Sequence, residues 1–263
     1  MLLKDKVVIV SGIGPGLGVK LAVEAAREGA RAVVAAARTP EKLDDAQARI
    51  QALGGPTEVL KQRCDITDRA QCERLAAETV ARYGRIDALI NSAYFHGDMD
   101  DISTADLEAW RPVFDTNLYG TLKLTQAVIP QMQRQKAGAI VMINTMAVRL
   151  IPPLGEAAYA TSKAALAQAS KWLAKELGPH GVRVNSVHMG WMWGAPVAGY
   201  VAWQAQQRKA SEEQIKAKIV AGIPLGRIPT DDECARAALF LASDYASAVT
   251  GAALDVNGGA YMP

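Results

Sequence analysis

Short runs rich in valine, isoleucine and alanine alternate along the whole chain with longer stretches whose apolar residues recur at helical spacing. Few architectures accept that alternation. KVVIVS, residues 6–11, reads as a first strand, and VKLAVEAAREG as a helix ended by Gly29. AVVAAA and EKLDDAQARIQALGG repeat the pair, and TEVLKQRC, AQCERLAAETVARYG and IDALIN continue it. AIVMINT and VRVNSVH are apolar on both faces, as strands covered by helices above and below must be. The expected fold class is α/β: a doubly wound parallel sheet, flanked by helices on both faces, in a single domain over residues 1–263. Residues from about 191 to 224 break the alternation and read as a helical flap over the body.

Composition narrows the partner. Half the residues are hydrophobic and 21% are charged, enough apolar mass for a core and too little charge for a disordered chain. A net charge of +2 with no long lysine or arginine run offers nothing to a phosphate backbone or an anionic membrane. A small molecule is the expected partner. Cys64, Cys72 and Cys234 are odd in number and lack metal-ligand spacing, so no metal site is expected and the thiols read as buried groups in a reducing cytosol. The apolar run at the start is too short for a signal peptide, and the chain is read as cytoplasmic.

SGIGPGLG joins the first strand to the first helix, where a parallel sheet places a phosphate-binding turn. Gly12, Gly16 and Gly18, with Leu17 between the last two, let the backbone approach a pyrophosphate at a helix N-terminus. A tight turn alone also needs glycine, so the position of the motif carries the reading. At the end of the second strand, AAARTP offers Arg38 and no carboxylate. An arginine there pairs with a 2′-phosphate, which favours NADP(H) over NAD(H). The plainer alternative is a solvated loop charge, and Pro15 stands where a second basic residue would help.

Tyr159 and Lys163 lie one turn apart in EAAYATSKAALAQASKWLAKEL, on one helix face. Such a pair arises by chance on many helices. Its chemical reading is that a phenol, with a usual pKa of ~10, becomes a proton donor and acceptor only beside an ammonium that stabilises the phenolate.

Taken in order and spacing, SGIGPGLG, CDITD, NLYG, YATSK and VRVNSV make the chain resemble the short-chain dehydrogenase/reductase family from about residue 6 to its end. The resemblance implies a Rossmann-like fold, a nicotinamide cofactor, and hydride transfer to or from a carbonyl or secondary alcohol. It implies Tyr159 as proton donor and acceptor, and Lys163 bound to the nicotinamide ribose. It implies that Asn117 holds a water relay to Lys163, that Asp65 and Ile66 contact adenine, and that Asn91 forms the ribose edge of the pocket. A homodimer or homotetramer is the expected assembly. The hydroxyl that orients the substrate oxygen falls on Thr145, since Met146 beside it offers none. The segment from there to Tyr159 is one residue longer than usual, so a bulge or loop adjustment is expected.

Several residues depart from the family pattern. Tyr94 in NSAY stands where glycine is usual, and it either packs outward or narrows the cavity. HMGWMWG puts Met189 and Gly194 in place of a proline and a threonine, removing a side-chain clasp on the carboxamide. Asn257 replaces a common aspartate, and His188 reads as a packed histidine. Tyr94, Trp191, Trp193, Tyr200 and Trp203 are candidate substrate contacts and imply a bulky, apolar ketone or alcohol, although some of the flap aromatics are expected only to pack the flap. The alternative to an enzyme is a nucleotide-binding redox sensor or scaffold, which would have no need of the Tyr-Lys-Asn set.

Overall fold

The computed structural model describes residues 1–152 and 155–263. Its centre is β1 (Val7–Ser11), buried along its whole length, flanked by β2 (Ala32–Ala37) and β4 (Ala88–Asn91). β3 (Glu58–Arg63) forms one edge, with mostly polar, more exposed residues. β5 (Gly138–Thr145), β6 (Val182–Met189) and β7 (Ala253–Val256) extend the other side. The seven strands run in the order β3-β2-β1-β4-β5-β6-β7, and every pairing is parallel. Parallel pairing requires a crossover between successive strands, and β-branched residues buried on both faces fit such a layer.

Helices cover both faces. α1 (Leu17–Arg27), α2 (Pro40–Gln51) and α9 (Asp231–Ala242) bury Leu21, Leu43 and Leu239 against Val8, Val10 and Val33. On the opposite face, α3 (Arg69–Tyr83), α5 (Thr121–Gln135) and α6 (Ala157–Leu177) bury Leu75, Leu124 and Leu166 against Ile9, Leu89 and Ile140. The short α4 (Arg111–Phe114) enters α5 through a π-helical turn, Asp115–Gly120. No helix among the described residues is long and apolar enough to cross a membrane.

The expected flap is a helical hairpin. α7 (Ala195–Arg208) and α8 (Glu212–Val220) enclose a small core of Val201, Ala205 and Ile215, and Ser211 caps α8 reciprocally with Gln214. The root is pinned to the body by backbone bonds from Trp193 N to Pro229 O, 2.7 Å, and from Asp231 N to Trp193 O, 3.2 Å.

Strand order reverses between β1 and β4, and their carboxyl ends diverge there to open a crevice. Gly12 makes the turn possible. Its φ is +93°, its N–H donates to Ala36 O at 2.9 Å, and a Cβ at this position would lie 2.2 Å from Ala93 N. Gly12→Ala is therefore expected to lower stability by about 1–3 kcal/mol for the backbone conformation alone, with the steric overlap added. Gly14→Ala, where a Cβ meets nothing within 4 Å, should leave the urea midpoint nearly unchanged. Equal midpoints for the two variants would refute this account of the turn.

Candidate active site

The crevice continues as a cleft of about 460 Å³ along the carboxyl ends of the central strands. Its floor is the turn from Ser11 to Gly18. A Cβ at Gly18 would lie 2.1 Å from Gly12 O, so the turn closes only on a bare backbone. Gly16 precedes α1 without a side-chain cap, and the first turn of α1 carries no acidic residue. Its amide groups are thus left for a ligand, and an anionic one is favoured by the helix dipole. A pyrophosphate fits this cradle, with Gly16, Leu17 and Gly18 to hold it.

One end of the cleft is basic. Arg38 stands exposed at the lip, and Lys42, one helical turn further on, lines the same end. The sequence reading missed Lys42; its i+4 spacing from Arg38 at the start of a helix was the available signal. Asp65 and Ile66 form the facing wall. Asp65 Oδ1 accepts from Thr67 N at 2.9 Å and Thr67 Oγ1 at 2.8 Å, which fixes the carboxylate. Asn91 ends β4. Its side chain turns into the core and donates to Thr125 Oγ1 at 3.1 Å and Met142 Sδ at 3.3 Å, while Ser92 and Ala93 line the cleft instead. Strand alternation sends Asn91 away from the ligand side.

The other end brings together Thr145, at the end of β5, and Tyr159 and Lys163, on α6. Lys163 is 2% exposed, and its Nζ donates to Ile143 O at 2.7 Å. Burial pulls its pKa down to about 7. Burial also pushes the Tyr159 phenol well above its usual value, with Tyr94 and Glu156 adding to the rise, while a hydrogen bond with the Thr145 hydroxyl pulls it back. Thr145 also accepts from Ala147 N at 3.2 Å, which fixes its rotamer. Beyond Thr145 the chain turns through Met146–Val148 and reaches α6 by way of Gly155, φ +62°. The extra residue expected in this stretch is not located further, because Pro153 and Leu154 lie outside the described residues.

Asn117 sits in the π-helical turn, fully buried. It donates to Phe95 O and to Ser162 Oγ, each at 2.9 Å, and accepts from Phe95 N at 2.7 Å. With both amide hydrogens engaged, a water relay to Lys163 would have to use its main-chain carbonyl. Two neighbours of Tyr159 escaped the sequence reading. His96 stacks on the phenol ring with centroids 4.8 Å apart and 14° between planes, and its Nε2 lies 3.0 Å from Glu156 Oε2. Nothing in the spacing of His96 and Glu156, sixty residues apart, signals that pairing.

The departures find physical places. Tyr94 lies edge-on to Tyr159, centroids 6.0 Å apart, and narrows the cleft mouth. Asn257 accepts from Gly259 N at 2.8 Å and donates to Tyr261 O at 3.1 Å, closing the C-terminal turn. His188 is buried and accepts from Arg149 Nε at 3.1 Å; burial and that guanidinium hold its pKa near 4. Met189 is buried at the end of β6 and lines the cleft. The flap lends the cleft Met192, Pro196 and Val197. Trp193 packs inside the flap, with Lys216 Nζ 4.1 Å from its ring centre, so it is not among the residues lining the cleft. Trp191, Tyr200 and Trp203 form a row of contacting rings, 5.4 Å and 6.3 Å between successive centroids, beside the cleft and not in its wall.

Known proteins share this arrangement. A family model described as enoyl-(acyl carrier protein) reductase matches residues 12–261. The 3-oxoacyl-[acyl-carrier-protein] reductase FabG of Thermotoga maritima is 33% identical over 259 residues, 98% of this chain and 99% of the relative. A crystal structure of an actinorhodin polyketide ketoreductase variant with NADPH superposes with a TM-score of 0.87 at 30% identity, covering 97% of each chain. NAD+-bound xylitol dehydrogenase gives 0.89 at 28% identity, over 98% of this chain and 100% of that one. The chain belongs to the short-chain dehydrogenase/reductase family, Rossmann-fold oxidoreductases that use a nicotinamide dinucleotide.

Lys163 makes a prediction about stability. Its folded pKa, about 7, lies below its usual value of 10.5, so between these pH values the unfolded chain binds more protons than the folded one. Stability of the ligand-free protein should therefore rise with pH across that window, by at most about 1.4 kcal/mol per pH unit for one proton. Lys163→Met should raise the urea midpoint at pH 7 and flatten the rise between pH 7 and 10. A wild-type midpoint that falls across this range would show that the amine is not buried in its charged form at such a cost.

Proposed function

We propose that the protein is an NADP(H)-dependent reductase of bulky, apolar ketones that also oxidises the matching secondary alcohols. The observation that carries this reading is the meeting of Tyr159, Thr145 and Lys163 at one end of a cleft whose other end is basic. When bound, the cofactor supplies or takes up a hydride at the substrate carbon. Thr145 orients the carbonyl oxygen, and Tyr159 gives it the proton that completes the alcohol. Lys163 would stabilise the tyrosinate left behind, which recovers its proton from solvent. Burial raises the pKa of Tyr159 in the empty cleft, so proton transfer at neutral pH depends on the Lys163 ammonium to stabilise the phenolate.

The apolar residues exposed in the loops after β4 and β5, of which Tyr94 lines the cleft, support an uncharged, apolar substrate. Tyr94, Phe95, Met99 and Ile102 are exposed in the loop after β4, and Ile151 in the loop after β5 is 97% exposed. Burying such surface against a ligand yields ~25 cal/mol per Å². The loop after β4 also carries Asp98, Asp100, Asp101 and Asp106. Acyl groups of the kind named for the FabG relative would arrive on a carrier protein, and an anionic carrier would meet repulsion at those carboxylates. A free ketone avoids it. The sensor reading is disfavoured because a binding protein has no use for the Tyr159–Thr145 contact. Exposed Trp172 on α6 and Tyr245 after α9 support a homodimer or homotetramer, which sedimentation velocity would measure.

Tyr159→Phe is expected to lower turnover by about 100- to 10,000-fold with cofactor affinity retained. Thr145→Ser should keep substantial activity and Thr145→Val should not; both are read from the oxidation of NADPH by a polycyclic ketone. A wild type that turns over short polar ketones or acyl thioesters faster than polycyclic ones would overturn the substrate assignment. For the cofactor, Arg38→Ala and Lys42→Ala should each weaken NADPH by about 10-fold or more, a charge-assisted bond's worth, and leave NADH unaffected. If both dinucleotides weaken alike, the 2′-phosphate is not read there.

A further inference from the structure

One carboxylate in the cleft has no partner and no role in the chemistry above. Asp231 is the first residue of α9, 3% exposed, and its Oδ2 is buried without a hydrogen bond from any of the described residues. Its backbone is held from two directions, by the capping box of Thr230 with Glu233 and by the bond from its N–H to Trp193 O at the flap root. The side chain is therefore aimed, and it lines the cleft. Around it stand Gly194, Gly16, Pro196 and Tyr94. A Cβ built at Gly194 would lie 1.7 Å from Asp231 Oδ2, and one at Gly16 would lie 3.7 Å from it. The carboxylate thus fills the space that any side chain at position 194 would occupy. Its nearest cation is engaged elsewhere, since Lys20 Nζ pairs with Asp232 at 2.9 Å.

A buried carboxylate that protein groups leave unsatisfied costs free energy unless a ligand donates to it. The dinucleotide has few groups able to do so. Its phosphates repel a carboxylate and are provided for at the glycine turn. Its adenosine half would belong at the Arg38 end. Asp231 lies against Gly194 and the space over Gly16, within electrostatic reach of Tyr94, and the nicotinamide ribose would be held by Tyr159 and Lys163. The remaining donor is the amide nitrogen of the nicotinamide carboxamide. We infer that Asp231 accepts a hydrogen bond from that amide and so orients the nicotinamide ring, replacing a side chain that Gly194 lacks. The inference rests on the nicotinamide reading of the cleft. Burial, which raises the pKa of Asp231, is consistent with a group poised for a partner that the protein alone does not supply.

The test is equilibrium binding, measured by calorimetry on the full chain. NADP+ is compared with its 3-acetylpyridine analogue, in which a methyl group replaces the amide nitrogen. Wild type should prefer NADP+ by about 10- to 100-fold, the range for a hydrogen bond to a charged group. Asp231→Ala should lose affinity for NADP+ alone, leaving both ligands equal at the wild-type level for the analogue. Asp231→Asn keeps a carbonyl acceptor and should keep part of the preference. Gly194→Ser combined with Asp231→Ala places a hydroxyl where the carboxylate stood and should restore it. No preference in wild type, or an equal loss of both ligands in Asp231→Ala, overturns the inference while the cofactor assignment stands. A wild type that binds neither NADP+ nor NAD+ overturns both.

Discussion

The contact on which the site depends is the approach of Gly12 to the backbone of Ala93 at the reversal of strand order. Two parallel strands leave β1 and β4 side by side, and their outgoing chains must part within a residue or two. Any side chain at Gly12 would force them further apart, and one at Gly18 would push α1 off the turn. The close approach keeps the N-terminus of α1, the end of β2 and the loop after β4 on one rim. Phosphate cradle, basic lip and Tyr94 are adjacent for that reason alone.

A second constraint is the buried amine. Lys163 is enclosed, and among the described residues only Ile143 O accepts a hydrogen bond from it and no carboxylate pairs with it. A protein organised only for stability would place an apolar residue there. The charge is useful if a phenolate forms one turn away, and the ring of His96 stacks on Tyr159 there. The stacked imidazole and its Glu156 partner restrict the phenol to one orientation, which shortens the search for a reactive geometry.

Much of this was legible in the chain before any coordinates. Strands whose residues are buried on both faces, β1, β2, β5 and β6, announce themselves as apolar runs, and α6 announces itself by length. β7, four half-buried residues in a stretch without periodicity, did not, and neither did the π-helical turn that positions Asn117. Tyr159, Lys163, Thr145 and the glycines converge because a short local motif fixes each of them. The inward turn of the Asn91 side chain was not legible, because a motif gives a position and not the face of the strand. His96 and Asp231 were missed for another reason: each acquires its neighbours through tertiary contacts between segments far apart in sequence, as when the flap root and α9 meet at Gly194.

The flap carries its interior with it. Val201, Ala205 and Ile215 form a core separate from the two that clothe the sheet, and the hairpin meets the body through a narrow root at Trp193 and Asp231. Substitutions inside α7 and α8 can accumulate without disturbing the strands, so descendants of this chain are free to drift in what they accept while inheriting the same redox chemistry. The root is the exception. There a change of one residue alters the hinge of the hairpin and the wall of the cleft together, and selection on either is felt by both.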